Sequence, residues 1–380
     1  MLEVSVAQQL KVRMLATGLS ITPSARSWIV QSAHGAGLFA TDYASTSGPI
    51  LELEGDVWVN APVQDHNPFA ANATTVLDLE GDHLVVHDGA LESPAWYCLQ
   101  PRYHEPGHGR ELMDFVVTHG DRARLSPLQS CAMTCTFCNV PYDDPISGYA
   151  LKPIVDCIDA LQVAIDDPIQ PAHHILISGG TPKPKDVENH NELYRRVIEA
   201  FPGIPVDIMM VPIPGVLDVP ALKSAGLNDL SINLEVYDRK RQQEVARQKY
   251  NWGRGYYLDF IEQAAEVLGP GHVRSMLLVG LESVESTLEG VEAIAQRGGV
   301  PVLSPFRPDP VTPLGGMLPP DYDVLLDVYF RSQEIVARYG TFLGPSCPPC
   351  SHNTLNFGAD PDGHGPCYHH PHPAMLESPA

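Results

Sequence analysis

The chain has 380 residues, 44% of them hydrophobic, which is enough to fill the core of one large barrel or of two modest domains. Its 24 basic and 46 acidic residues give a net charge of -22, which disfavours nucleic acid and anionic membranes as partners because both would be repelled. We expect no export signal and no membrane span, since a basic segment followed by an apolar one is absent and no apolar run is long enough. Eight cysteines without a secretory signal indicate a reducing, cytoplasmic compartment, and the abundance of Pro (36) and Gly (31) suggests a bacterial chain.

Residues 1–115 read as a small β-rich accessory region. Short apolar pieces alternate there with Gly, Pro, Asp and Asn, which break regular structure. The candidate strands are Ile50–Leu53, Val57–Val59, Thr75–Leu79 and His83–His87.

From residue 116 to 345 the pattern changes to alternating strands and helices, which is typical of a parallel α/β fold. The candidate strands are Arg124–Gln129, His174–Ser178, Val206–Val211, Asp229–Val236, Val273–Val279 and Val300–Phe306. Six such units predict a partial (β/α)6 barrel of the TIM type, with its chemistry at the carboxyl ends of the strands. Residues 346–380 are rich in Cys, His and Pro, and we expect a C-terminal tail that is loosely ordered from about Asn356.

The most informative motif is Cys131-x3-Cys135-x2-Cys138, which comes directly after the first predicted strand of the barrel. Thiolates are the ligands that iron-sulfur clusters require, and three of them in one loop leave a fourth iron open to an exogenous ligand. A zinc site would more often show paired Cys-x2-Cys knuckles, and a disulfide framework belongs to short secreted chains. The spacing therefore favours a 4Fe-4S cluster.

Two further motifs follow barrel strands. The segment from Ser178 through Gly179 and Gly180 to Thr181 places two glycines where main-chain groups can approach a ligand, although an ordinary strand-ending turn has the same composition. In the fourth strand Asn233 and Glu235 alternate onto one face with Ser231, so polar groups point into the barrel, where they face either a ligand or water.

Together the triplet, with Phe137 before its last cysteine, and the Gly-Gly-Thr-Pro loop resemble the radical S-adenosylmethionine superfamily, in particular the branch of biotin synthase and the hydrogenase maturases. The resemblance covers about 60% of the chain, from Asp121 to Cys350. It implies that Cys131, Cys135 and Cys138 hold a 4Fe-4S cluster and that S-adenosylmethionine is the second cofactor. It also implies a reductant such as flavodoxin or ferredoxin.

The same resemblance assigns cofactor-binding roles by position. Phe137 and the main chain of Ser178, Gly179, Gly180 and Thr181 contact S-adenosylmethionine, although Thr181 stands where an acidic residue is common. Asn233 and Glu235 match the Asn-x-Asp/Glu strand that binds the ribose hydroxyls. Arg254, with Arg274 as the alternative, is the candidate for the methionyl carboxylate, although a solvated helix charge explains Arg254 equally well. Arg307 lies in a segment similar to the Pro-Phe-x-Pro segment of this branch and is a candidate for an anionic substrate or for a structural salt bridge.

A second group of cysteines, Cys347, Cys350 and Cys367, lies in the C-terminal tail. With His352 or His364 as a fourth ligand, the group is a candidate for an auxiliary iron-sulfur cluster or a structural zinc ion, and idle thiols are the alternative.

We therefore expect an enzyme in which a 5′-deoxyadenosyl radical abstracts hydrogen from a small molecule, leading to rearrangement, fragmentation or C–C bond formation in specialised metabolism. Sulfur insertion with an auxiliary cluster is the alternative within enzymes. A noncatalytic iron-sulfur or zinc scaffold or sensor is the alternative from another class, and it would have no need of the Asn233 strand.

Overall fold

The structure is a computed structural model that describes residues 4–32, 48–65, 67–105, 107–142, 148–213, 215–357 and 373–376. In this part of the chain the strands are β1 Ser20–Ile21, β2 Ile50–Leu53, β3 Val57–Asn60, β4 Val76–Glu80, β5 His83–Asp88, β6 Leu91–Tyr97, β7 Val116–His119, β8 Arg122–Leu125, β9 His174–Ile177, β10 Val206–Met209, β11 Leu227–Ser231, β12 Val273–Val279 and β13 Val300–Pro305. The helices are α1 Val6–Thr17, α2 Pro23–Ser32, α3 Ile154–Ile165, α4 Val187–Ala200, α5 Val219–Ala225, α6 Arg239–Val245, α7 Arg247–Trp252, α8 Arg254–Leu268, α9 Val284–Ala295 and α10 Tyr322–Arg338.

The N-terminal sheet has the strand order β1-β4-β5-β6-β2-β3, and all of its pairs are antiparallel except β1 with β4. All four strands expected in this region are present. Helix α1 packs against β3 and β6, and its first turn is closed by a capping box in which Ser5 and Gln8 exchange side-chain hydrogen bonds.

The second sheet has the order β13-β12-β11-β10-β9-β8-β7. Strands β8 to β13 are parallel and are the six predicted ones, and β7 is an antiparallel edge strand paired with β8. The predicted α/β fold, a partial barrel with a small β-rich N-terminal region, is thereby confirmed. The first barrel strand ends at Leu125 rather than at Gln129, because the Ser126 N–H bonds back to Phe115 and Pro127 has no N–H to continue the ladder.

The open edge of β13 is covered by residues 344–357. The Gly344 N–H donates to Pro301 O at 2.9 Å, and the Leu355 N–H donates to Leu303 O at 2.8 Å. Most of this segment is buried, so the chain beyond the barrel starts as part of the packed structure. Much of the expected loosely ordered tail lies outside the described residues, although Leu376 donates a main-chain hydrogen bond to Tyr97 O. The domain boundaries at 115 and 345 remain predictions.

Among the described helices, none has the length and apolar character that a bilayer crossing needs.

Candidate active site

The three-cysteine loop leaves the barrel at the carboxyl end of β8. Cys135 is buried, whereas Cys131 and Cys138 are partly exposed. Burial and the nearby Glu235 carboxylate raise the pKa of the Cys135 thiol, and the charges of the other two cysteines raise it further, so the three sulfurs lie close enough to interact. The pKa of Cys138 is raised to about 12, first by burial. Thiols that are protonated in the absence of a metal become ligands when a metal displaces their protons.

The glycine loop that follows β9 packs directly on the cysteine loop. The Thr181 N–H donates to Cys131 Sγ at 3.1 Å, and the Ala132 N–H donates to Thr181 O at 2.9 Å. Gly180 has a φ of +96°, and a Cβ placed there would lie 2.6 Å from the Ser130 carbonyl oxygen. Glycine is therefore required at this position by both its conformation and its contact, which an ordinary turn would not demand.

Two other segments hold the cysteine loop from its far side. The Thr136 N–H donates to Val245 O at the end of α6, at 2.9 Å. The Leu314 N–H, from the loop that follows β13, donates to Thr136 O at 3.2 Å. The loop carrying Arg307 is thus in direct contact with the loop carrying the cysteines.

The polar stretch after β11 contains an ion pair between a buried lysine and a half-buried glutamate. The Lys249 Nζ lies 2.7 Å from Glu235 Oε2 and donates to Asn233 O at 2.9 Å. Burial alone would lower the pKa of Lys249, but the Glu235 carboxylate raises it above the ordinary lysine value, so Lys249 stays charged. Asn233 Oδ1 accepts the Met276 N–H at 3.0 Å, so this amide oxygen is already bonded within the sheet.

Lys249 was missed by sequence reasoning. The lysine lies in α7, and nothing in its local sequence marks it, because its contact with Glu235 is made across the fold. The positive φ of Glu235, +64°, which residues other than glycine rarely adopt, is equally invisible in the sequence.

The two arginines considered for the methionyl carboxylate lie in different surroundings. Arg254 stacks on the Tyr237 ring with its Cζ 3.9 Å from the ring centroid, and donates to Tyr237 O at 2.9 Å. Arg274 is buried near the start of β12, where it lies 2.7 Å from Asp207 and 3.3 Å from Asp229. Arg274 is therefore neutralised at the amino end of the strands, away from the cysteine loop.

A group of basic side chains, which we call the cationic cluster, consists of Lys11, Arg122, Arg307 and His352. Arg307 donates to Asn60 O and Oδ1, both at 3.2 Å, and no member of the cluster forms an ion pair with an acidic side chain in the described ranges. Burial and the charges of the three cations hold the pKa of His352 well below its ordinary value, so its ring is neutral. Within those ranges neither ring nitrogen of His352 has a hydrogen-bond partner, and the same is true of Arg122 Nε.

The second group of cysteines is not beside the triplet. Cys347 and Cys350 are buried near Asp121 and His174, at the amino ends of β8 and β9, whereas the triplet follows the carboxyl end of β8. Cys367 and His364 lie outside the described residues.

A parallel partial barrel with a three-cysteine loop and a glycine loop at the carboxyl edge of its strands defines an iron-sulfur enzyme of the type that cleaves S-adenosylmethionine. Residues 125–297 match the family model of the Radical SAM superfamily. The chain therefore contains a radical SAM domain, and the predicted membership of that superfamily is confirmed. The family uses a 4Fe-4S cluster and S-adenosylmethionine, and its enzymes need a substrate and a source of electrons.

Particular relatives are more distant. Over 119 residues, 31% of this chain, the sequence is 29% identical to the bacteriochlorophyllide c C-7(1)-hydroxylase of Chlorobaculum limnaeum, and the match covers 30% of that enzyme. The hydrogenase maturase HydG of Carboxydothermus hydrogenoformans superposes with a TM-score of 0.45 at 16% identity, covering 66% of this chain and 60% of HydG. A radical SAM methyltransferase of Sphaerobacter thermophilus superposes with a TM-score of 0.43 at 13% identity, covering 71% of this chain and 76% of its own. The branch within the superfamily remains a prediction.

Proposed function

We propose that this protein is a radical S-adenosylmethionine enzyme that acts on an anionic small molecule. The observation that carries the proposal is the direct contact between the glycine loop and the cysteine loop, through the Thr181 N–H to Cys131 Sγ bond at 3.1 Å. A noncatalytic metal module needs the cysteines but has no use for a glycine-lined cradle beside them.

Cys131, Cys135 and Cys138 would hold the cluster. The fit is supported by the chemistry of the donor set, three interacting thiols, and by the two N–H groups, of Met133 and Thr181, that donate to Cys131 Sγ. Hydrogen bonds from the main chain to sulfur stabilise a ligating thiolate. When both cofactors are bound, they supply a 5′-deoxyadenosyl radical that abstracts hydrogen from the substrate.

The remaining residues would bind and orient S-adenosylmethionine. The main chain of residues 178–181 lies against the cysteine loop, which itself carries the Phe137 ring. Glu235 keeps one carboxylate oxygen beyond its contact with Lys249 for a ribose hydroxyl. Arg254 is our candidate for the methionyl carboxylate, since Arg274 is committed to two aspartates.

The substrate class follows from the cationic cluster. Arg122 and Arg307 are half-buried guanidinium groups without an acidic partner among the described residues, which is costly, and a bound carboxylate or phosphate would offset that cost. The neutral His352 ring and the guanidinium of Arg307 can contact such an anion together, and the Arg307 loop touches the cysteine loop through Leu314. We therefore favour rearrangement, fragmentation or C–C bond formation on a carboxylate or phosphate ester, as a step of specialised metabolism in the cytoplasm. A flavodoxin or ferredoxin would be the electron donor.

Sulfur insertion would need a second cluster that carries labile sulfide. The donor atoms of Asp121, His174, Cys347 and Cys350 all lie within 4.8 Å of one another, a spacing that suits one ion better than a cluster with separate irons under each ligand. Labile sulfide well above that of one 4Fe-4S cluster per chain would instead support sulfur insertion.

The first experiment is anaerobic reconstitution with iron and sulfide, followed by dithionite and S-adenosylmethionine. The wild type should bind about four irons and release 5′-deoxyadenosine. A variant with Cys131, Cys135 and Cys138 all changed to Ala should release none, whereas Cys157→Ala, which removes a buried free thiol of α3, should behave as the wild type. A wild type that holds the cluster but does not bind S-adenosylmethionine would contradict the proposal and favour a scaffold.

A second experiment tests the substrate class. Inorganic phosphate and succinate should raise the melting temperature of the wild type above its value in chloride of equal ionic strength. Each anion would bind the cationic cluster only in the folded protein. Arg307→Gln should abolish the rise. Arg331→Gln, which changes an exposed arginine of α10, should keep it. Equal stabilisation of all three proteins would refute an anion site at Arg307.

A further inference from the structure

Four side chains that can bind metal meet at the amino ends of the barrel strands, a region that we call the barrel floor. Asp121 precedes β8, His174 is the first residue of β9, and Cys347 and Cys350 come from the segment that covers β13. His174 Nε2 lies 3.2 Å from Cys350 Sγ, and His174 Nδ1 lies 3.8 Å from Asp121 Oδ1. None of the four is more than 5% exposed.

The two cysteines adopt a local geometry that suits metal binding. A short 3-10 helix over Pro349–Ser351 turns the chain back after Cys347, and the Cys350 N–H donates to Cys347 Sγ at 3.4 Å. In a Cys-x2-Cys knuckle this turn aims both sulfurs at one point. Two prolines between the cysteines restrict the turn further and lower the entropy lost when it forms.

The arrangement of Cys350, His174 and Asp121 also resembles a nucleophilic triad. A nucleophile must be reached by its substrate, however, and Cys350 is buried beneath the barrel.

The four donor atoms lie too close together to hold a cubane cluster. Tetrahedral zinc, in contrast, places its ligand atoms about 3.3–3.8 Å apart, given bond lengths of about 2.0–2.3 Å. The separation of 3.2 Å between Cys350 Sγ and His174 Nε2 is close to that spacing.

We propose that Asp121, His174, Cys347 and Cys350 form a structural zinc site in the barrel floor. Cys347 is disulfide-bonded in the structure and Cys350 is a free thiol, so zinc binding requires Cys347 to be reduced. Asp121 completes the set as a ligand or, through Nδ1 of His174, as the carboxylate that orients the imidazole. The sequence led us to expect Cys367 and either His352 or His364 as the further ligands. Cys367 and His364 lie outside the described residues, and Asp121 and His174, not His352, are the described residues that meet the cysteine pair.

The zinc ion would join the two edges of the incomplete barrel. Asp121 and His174 belong to the β8–β9 side, whereas Cys347 and Cys350 belong to the segment hydrogen-bonded to β13. Since the sheet does not close through strand pairing between β13 and β7, a metal link across the floor would fix the open seam. The low exposure of all four side chains is typical of structural rather than catalytic zinc.

The test is carried out in the full-length Cys131/Cys135/Cys138→Ala background, so that zinc cannot occupy the cluster site. Protein is expressed with added zinc, purified with a phosphine reductant, and its metal content is measured by mass spectrometry. We expect about one zinc per chain, and a cobalt-substituted sample should show the thiolate-to-cobalt charge-transfer band of a tetrahedral site. Adding Cys350→Ser or His174→Gln should remove both signals, whereas adding Cys157→Ser, a matched buried thiol, should leave both unchanged.

Three results would overturn the proposal. The first is that the background protein contains no zinc and its Cys347 stays oxidised in the presence of the reductant. The second is that zinc stays bound after Cys350→Ser is added. If the variants fail to fold, a chelator is applied to the background protein instead. Its melting temperature should then fall by about 5 °C or more, and an unchanged melting temperature is the third contrary result.

Discussion

Gly180→Ala tests the contact between the two loops of the active site. The new Cβ would lie 2.6 Å from the Ser130 carbonyl oxygen, a main-chain atom that cannot rotate away. Relief requires the glycine loop to move from the cysteine loop, which would break the Thr181 N–H bond to Cys131 Sγ and the Ala132 N–H bond to Thr181 O.

The expected magnitude has two parts. An L-residue held at a φ of +96° costs about 1–2 kcal/mol, and overpacking against the main chain adds about 1–3 kcal/mol. Gly203 provides a matched control because its φ is +86° and a Cβ there would meet nothing within 4 Å. Gly203→Ala should therefore lose only the stability that corresponds to the backbone cost. The difference in free energy of unfolding between the two variants then measures the contact between the loops.

Stability is measured by urea unfolding, and function by 5′-deoxyadenosine release from the reconstituted proteins. We expect Gly180→Ala to release 5′-deoxyadenosine at least about tenfold more slowly than the wild type, since each 1.36 kcal/mol of lost transition-state stabilisation is a factor of ten. Gly203→Ala should keep the wild-type rate. Equal stability losses and equal rates in the two variants would refute the inferred role of the loop contact.

Three further changes test other parts of the site and the barrel. Lys249→Met should destabilise the protein to urea by about 1–3 kcal/mol because it leaves the Glu235 carboxylate, whose side chain is 18% exposed, without its charged partner, and Glu235→Gln in that background should recover part of the loss; additive losses would contradict the pairing. Arg254→Met should weaken S-adenosylmethionine binding in calorimetry by about 1.5–3 kcal/mol, the value of one charged hydrogen bond, and an unchanged affinity would remove Arg254 from the site. The hydrogen bond to Asp229 raises the pKa of His272, so its contribution to stability is fully present below the unfolded pKa and is lost as the pH rises through the higher folded value. His272→Gln should flatten that part of the stability profile by under about 1 kcal/mol, because the ring is 38% exposed; an unchanged profile would mean that His272 does not carry the effect.

The barrel was predictable because its signals are local. Most of the parallel strands are short apolar runs bounded by turn residues, and each of β8 to β13 overlaps its predicted range. The fourth barrel strand ends at Ser231 rather than at Val236, so Asn233 and Glu235 follow the strand instead of lying in it. The antiparallel strand β7 was missed although Gly120 and Asp121 between two β-favouring runs are a hairpin signal. Helix α1 was also missed, despite the capping box of Ser5 and Gln8.

The site was predictable only in part, for a physical reason. The cysteine triplet and the glycine loop are contiguous motifs whose spacing carries their chemistry. The pairing of Lys249 with Glu235, the neutralisation of Arg274 by Asp207, and the meeting of His174 with Cys350 join residues 14 to 176 positions apart. Such contacts are set by the way the sheet curls, and no local pattern in the sequence records them.

Residues 344–357 connect the barrel floor with the cationic cluster. The segment pairs with β13, supplies Cys347 and Cys350 to the floor, and then places His352 in the cationic cluster. Because His352 follows Cys350 by only two residues, an ion bound at the floor would also restrict the position of the histidine ring. Removal of zinc should therefore weaken anion binding at Arg307, although zinc does not contact Arg307. Loss of the anion should leave zinc in place, since the anion does not contact the metal ligands.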